Sequence, residues 1–295
     1  MREFIRQITQ RIFRILTWPF RLIAKPFIAI RDFINYEPED SPLADVFSAT
    51  LEQPGLLIDH LEALRRHILR ALVVLILAIL VSMAFTRPIL EWLSIPIGGL
   101  EKLQAIEVTE SIGAYMRVAL LSGFTFALPY IGIEIFAFLH PGLRRRERIT
   151  ILILIPVATL LFIAGAAFTY YIMLDPALDF LLSFLGIKTA IRPSNYIRFV
   201  TGLMFWIGVA FQFPLIIYGL AALGIVNARS LIRGWRFAIL GIAILAAAVT
   251  PTIDPVNMGL VMLPMIVLYF LSIGMASLAS GARTRRQAKT QHRAD

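Results

Sequence analysis

The chain has 295 residues, of which 58% are hydrophobic and 16% charged, and a mean hydropathy of +0.78. A soluble domain carries roughly 25% charged residues, so a soluble globular fold is excluded and an all-α polytopic membrane protein is expected. The formal charge of +9 sits on residues that flank apolar runs, which points to anionic lipid headgroups and not to nucleic acid, while the lack of any cysteine excludes disulfides, thiolate metal sites and cysteine nucleophiles.

Residues 1–35 interleave Phe4, Ile8, Ile12, Leu16, Phe20 and Ile23 with Arg2, Arg6, Arg11, Arg14, Arg21 and Lys25. That pattern predicts a basic amphipathic segment lying on the membrane surface, broken by Pro19 and Pro26. Arginine recurs too often to leave the uninterrupted apolar core of a cleaved signal peptide. Residues 36–58 turn acidic and proline-bearing, with Glu37, Pro38, Glu39, Asp40 and Pro42, and read as a linker.

A membrane domain is expected over 59–278. Asp59 is placed to cap the first helix, with Glu62 and Arg66 as i, i+4 partners, and the first span runs from about Ile68 to Phe85. The connection 87–115 contains Pro88, Pro96, Gly98 and Gly99 and is expected to be partly helical and packed as a cap. The second span, about Met116 to Leu139, holds Pro129 and the ionisable Glu134. The run Pro141 to Arg148 follows, with Arg144, Arg145, Arg146 and Arg148 around the single acid Glu147. The third span covers about Ile149 to Met173, a loop Asp175 to Arg198, and the fourth about Phe199 to Leu220 with Gln212 and Pro214. The next apolar run, Phe237 to Val249, makes roughly 20 Å of helix against about 30 Å of hydrocarbon. A last span occupies about Met258 to Leu278, and the tail 279–295 is basic and expected to be disordered.

Six spans follow from this reading, and lysine and arginine test their direction. They crowd the amino terminus, the run after Leu139, the segment Arg229 to Arg236 and the tail, whereas the alternate loops hold Arg87, Lys102, Arg117, Lys188, Arg192 and Arg198. Short basic loops stay inside, so both termini are expected in the cytoplasm.

Catalysis finds no support. There is no Gly-x-Ser-x-Gly, no His-Glu-x-x-His and no phosphate-cradling glycine loop, so no enzyme activity and no cofactor is expected. The histidines, His60, His67, His140 and His292, fall at or outside the expected inner edge at spacings that suit no metal. Ionisable and amide groups within spans are costly and become functional candidates. Glu134 serves as such a group, or else it reaches the interface or pairs with a loop arginine, and Gln212 serves as one or else makes an interhelical hydrogen bond.

Several short elements now fall into one order. His60-Leu61-Glu62-Ala63-Leu64-Arg65-Arg66, Phe138-Leu139-His140-Pro141-Gly142-Leu143 followed by Glu147-Arg148, Phe211-Gln212-Phe213-Pro214 and Thr250-Pro251-Thr252-Ile253-Asp254-Pro255 resemble the TatC family, the multispanning subunit of the twin-arginine protein translocase. Glu110, Ser111 and Arg117 fit its first outer loop. Two departures stand out: Ala63 occupies the place of a family Glu, with Glu62 one residue earlier, and Gln212 replaces an intramembrane Glu.

The resemblance implies a concave six-helix bundle with short fifth and sixth helices in a prokaryotic plasma membrane. It implies a signal-peptide site at Glu62, Arg65, Phe138 and Glu147, where carboxylates accept guanidinium forks and the ring packs on the peptide. Polar intramembrane or partner-helix contacts are implied at Gln212 and Glu134, and structural turns at Pro96, Glu110, Pro129, Pro141, Pro214, Pro251 and Asp254. The implied partners are twin-arginine signal peptides of folded precursors, single-helix TatA/TatB-type subunits and further copies of the chain, with transport driven by the proton gradient. The rival expectation is a secondary transporter or channel for a small solute, for which Phe126-Ala127-Leu128-Pro129 and Phe211-Gln212-Phe213-Pro214 hint at an internal repeat.

Overall fold

The computed structural model describes residues 54–139, 145–183, 190–250 and 254–291. The amphipathic segment and most of the linker, Pro141 and Pro251 therefore lie outside the described residues.

The first helix, α1 (Pro54–Met83), starts earlier than its expected cap. Pro54 occupies the opening position, where a missing N–H costs no hydrogen bond, and the apolar Leu56, Leu57 and Ile58 continue straight into His60. Asp59 thus falls inside the helix and not at its start, and no ion pair joins Glu62 to Arg66 among the described residues. After Met83 the chain folds back into a cap made of α2 (Thr86–Leu93) and two 3-10 turns, Ile95–Ile97 and Leu100–Lys102. Pro96 opens the first of these turns. Gly98 and Gly99 follow at φ of 88° and 100°, a left-handed region in which a side chain clashes with its own backbone.

Helix α3 (Glu110–Leu139) runs unbroken through Pro129. Helix α4 (Arg145–Phe168) does not stop at Met173. A π-helical turn, Thr169–Met173, leads directly into α5 (Leu174–Ser183), so much of the expected loop from Asp175 is helical. The fourth span is two helices, α6 (Pro193–Ala210) and α7 (Phe213–Leu223), parted at Phe211 and Gln212. Pro214 lies in the opening turn of α7, where the ring forbids the hydrogen bond that would continue α6. The same Phe-x-x-Pro pattern therefore sits in a continuous helix at Pro129 and at a break at Pro214, which removes the geometric basis for an internal repeat.

Helix α8 (Ala228–Arg233) is a short connector to α9 (Trp235–Val249), which has 15 residues. The last helix, α10 (Pro255–Gln291), has 37 residues. It is not short, and it continues past Leu278 through the tail expected to be disordered, because Ala, Arg, Gln and Lys are good helix formers after the apolar stretch ends. Among the described residues, five stretches are long and apolar enough to cross a membrane: His60–Met83, Glu110–Leu139, Arg148–Ser183, Pro193–Ala222 and Pro255–Leu278. By length, α9 falls short of that group.

Packing is pairwise. Helix α1 lies along α3, α3 and α4 pack on α6, and α7 and α9 pack on α10. Glycine sets the closest approaches: a Cβ at Gly123 would sit 2.6 Å from Ile79 Cα on α1, and one at Gly165 would sit 2.9 Å from Gly208 Cα on α6. Such small-residue contacts are how helices associate where water supplies no driving force. The core gathers where α4 to α6 meet the cap, around Leu93, Leu174, Ile197, Leu203 and Ile207. Trp92 stacks on Tyr170 with ring centroids 3.9 Å apart, and the Tyr170 and Tyr196 hydroxyls donate to the carbonyls of Trp92 and Leu93 at 2.7 and 2.6 Å.

Candidate functional site at the paired ends of the first and third helices

Because α1 and α3 run side by side, the beginning of α1 meets the end of α3. His60 and His67 are seven residues apart, two helical turns, and so share a face. That face meets α3. The His60 ring lies 4.6 Å from the Phe138 ring at 37°, and the His67 ring approaches Phe138 edge-on at 6.2 Å. One turn back on α3, Glu134 is 7% exposed, and its Oε2 is 2.6 Å from His67 Nδ1. The Tyr130 hydroxyl, a further turn back, makes a side-chain hydrogen bond to Glu134. A buried carboxylate is tolerable only when paired and hydrogen-bonded, and His67 with Tyr130 meets that condition for Glu134.

The predicted site residues divide sharply around this cluster. Phe138 and Glu134 are part of it. Glu62 and Arg65 lie on the opposite side of α1, both exposed, whereas Ala63 and Leu64 are half-buried between the two histidines. On a helix, Glu62 is turned by about 100° from Ala63, so its carboxylate points away from Phe138. Glu147 stands in the first turn of α4, and its side chain lies outside the described residues. The neighbouring Arg148 is 1% exposed.

The other predicted positions are structural or internal. The Gln212 amide donates to the carbonyl of Ala158 on α4 at 3.0 Å, so it bridges two helices of this chain at the α6–α7 break. Asp254 accepts a hydrogen bond from the Asn257 N–H at 2.7 Å, ahead of Pro255, and from the Asn257 amide at 3.0 Å, the arrangement of a helix N-cap. Glu110, 4% exposed, reaches back to accept from the Glu107 N–H at 3.3 Å, and takes the Arg192 Nε at 2.8 Å while Glu107 takes Arg192 Nη2 at 2.9 Å. These carboxylates raise the pKa of Arg192 above its ordinary value.

Sequence reasoning passed over His60, His67 and Tyr130. The seven-residue spacing of the histidines was the available signal, but a shared face has no meaning until its neighbour is known. A separate cavity of about 510 Å³ opens toward the other end of the bundle, between Phe124, Phe205 and Trp206, with Arg117 and Arg198 on its rim; it touches none of the cluster residues.

Fold and cluster together define a polytopic helical membrane protein with one polar and aromatic junction between its first and third helices. Residues 59–264 match the family model described as Sec-independent protein translocase protein (TatC). The chain is 36% identical to the Sec-independent protein translocase protein TatC of Synechocystis, over 84% of this chain and 93% of that one. It is 37% identical to its counterpart in Deinococcus radiodurans, over 74% and 84%. A solved twin arginine translocase receptor, TatC, superposes with a TM-score of 0.67 at 28% identity, covering 75% of this chain and 99% of that chain. The chain belongs to the TatC family of Sec-independent protein translocase proteins.

Proposed function

We propose that this chain is the receptor and core subunit of a twin-arginine protein translocase. It binds the paired arginines of signal peptides at its cytoplasmic face and works with single-helix TatA/TatB-type partners to move folded proteins across a prokaryotic plasma membrane. In this reading α9 completes six spans, both termini are cytoplasmic, and the cavity at Phe124 and Trp206 belongs to a concave face.

The observation that carries the proposal is the junction of α1 and α3. His60, which opens the His-Leu-Glu-Ala-Leu-Arg stretch, and Phe138, far apart in the chain, meet there with their rings 4.6 Å apart. Glu147 follows at the start of α4. A guanidinium offers a planar fork that a carboxylate accepts bidentately and a face that an aromatic ring covers, whereas an ammonium offers neither.

The test is binding of a twin-arginine signal peptide and its Lys-Lys counterpart to the detergent-solubilised protein and to Glu147→Ala. The wild type is expected to prefer Arg-Arg, and Glu147→Ala to lose roughly 2 kcal/mol of that binding. Equal binding of both peptides to both proteins would sink the receptor reading.

A further inference from the structure

Phe138 and Glu134 stand four residues apart on α3, on one face and about 6 Å along its axis. An aromatic face beside a carboxylate is the pair of surfaces that an arginine side chain fits, the ring taking the flat of the guanidinium and the carboxylate taking its N–H groups. In this structure both surfaces are covered, and by the same helix. His60 lies over the Phe138 ring at 4.6 Å, and His67 Nδ1 is 2.6 Å from Glu134 Oε2. Imidazole is the side chain that most resembles guanidinium in these two respects, a planar π system with an in-plane N–H. Among the described side chains of α1 and α3, Glu134 is the carboxylate on the face of this ring; Glu62 is exposed on the far side of α1.

The geometry points to Glu134 and Phe138 as an arginine-binding subsite that His60 and His67 hold in the unliganded protein, and that one of the two signal-peptide arginines enters by displacing His67. This rests on the receptor reading above and adds to it a specificity residue, leaving Glu147 to the other arginine. The groups facing Glu134 are Tyr130 from its own helix and His67 from α1, with Arg70 of α1 close enough to act on Tyr130. Tyr130 keeps its hydrogen bond when the guanidinium arrives, so the exchange replaces one nitrogen donor on the Glu134 carboxylate by two. Displacement also frees α1 from α3 at this end, because the His67 to Glu134 bond is an interhelical tie there.

The histidine variants separate this subsite from a purely structural ion pair. Full-length protein is titrated with labelled Arg-Arg and Lys-Lys peptides as wild type, Glu134→Gln, His67→Asn and His67→Arg, with the melting temperature of each variant recorded. Glu134→Gln is expected to weaken the Arg-Arg peptide by about tenfold or more and to narrow its preference over Lys-Lys. His67→Asn, which removes the placeholder while keeping a donor, is expected to tighten Arg-Arg binding. His67→Arg keeps a nitrogen donor for Glu134, fills the subsite with a tethered guanidinium, and is expected to weaken Arg-Arg binding.

Opposite shifts in the two His67 variants are the signature of competition. A wild type that prefers Arg-Arg while Glu134→Gln binds as wild type does, or His67 variants that shift affinity together or not at all, would overturn the subsite and leave the receptor reading standing. A wild type indifferent to Arg-Arg and Lys-Lys would overturn both.

Discussion

Tyr196 reaches across 103 positions of sequence to donate its hydroxyl to the carbonyl of Leu93 at 2.6 Å, and both residues are buried. The carbonyl belongs to the last residue of α2, where no intrahelical donor remains for it, so the tyrosine satisfies a group that burial has removed from water. The Tyr170 hydroxyl likewise donates to the Trp92 carbonyl, and the two hydroxyls pin the cap onto the π-helical turn and α6. Replacing Tyr196 by Phe keeps the packing and removes the donor, which leaves the carbonyl unsatisfied. Thermal unfolding in detergent should show a loss of about 1–3 kcal/mol, with no change in peptide binding, since the contact lies at the far end of the bundle from Phe138. Both tyrosines were visible in the sequence, but their partners were not: a hydroxyl announces that it needs an acceptor without naming which.

At the scale of elements, Gly123 decides how α1 meets α3. Its missing Cβ lets Ile79 Cα approach to where a methyl group would be 2.6 Å away, and because the obstacle is backbone, no rotamer change relieves it. Gly123→Ala is expected to force the helices apart and to cost about 1–3 kcal/mol, read as a lower melting temperature. The wider spacing also draws the His60 ring away from Phe138. The helices themselves were legible in the apolar runs of the sequence, and so was the brevity of α9. The break at Phe211 and Gln212 was not, since Pro129 and Pro214 sit in nearly the same local sequence. In α3 the proline is carried by a continuous helix; at Pro214 the Gln212 amide, bound to Ala158 on α4 at 3.0 Å, holds the broken geometry. Local chemistry permitted either outcome at both prolines, and only the neighbouring helix chose.

For the whole molecule, α9 governs topology. Its 15 residues make about 22 Å of helix, short of about 30 Å of hydrocarbon, yet a bilayer thins around a short span at modest cost. Trp235 carries the Arg236 guanidinium 5.7 Å from its ring centroid, an interfacial anchor at one end. The protein has no cysteine, so single-cysteine labelling with a membrane-impermeant maleimide can read each side. If α9 crosses, Asn227→Cys lies on the opposite side from Asp254, and Asn227→Cys and Thr284→Cys are labelled from the same, cytoplasmic side, with Lys102→Cys labelled from the other. If α9 stays within one leaflet, Asn227→Cys and Thr284→Cys label from opposite sides, and the six-span arrangement fails.

Composition, hydropathy and basic loops were sufficient by themselves for the class of protein and for the number of apolar segments, because burial in lipid imposes length and charge rules that act along the chain, and the short motifs between His60 and Pro255 carried the resemblance to the family. Tertiary structure alone decided which side chains share a site. Glu62, the nearer carboxylate by sequence, turns away from Phe138 by the pitch of α1, while Glu134, which the sequence presented as a lone intramembrane charge, comes to face His67 across the α1 and α3 contact. Facing is a property of two helices together, set by how closely Gly123 lets them lie, and no single stretch of chain contains it.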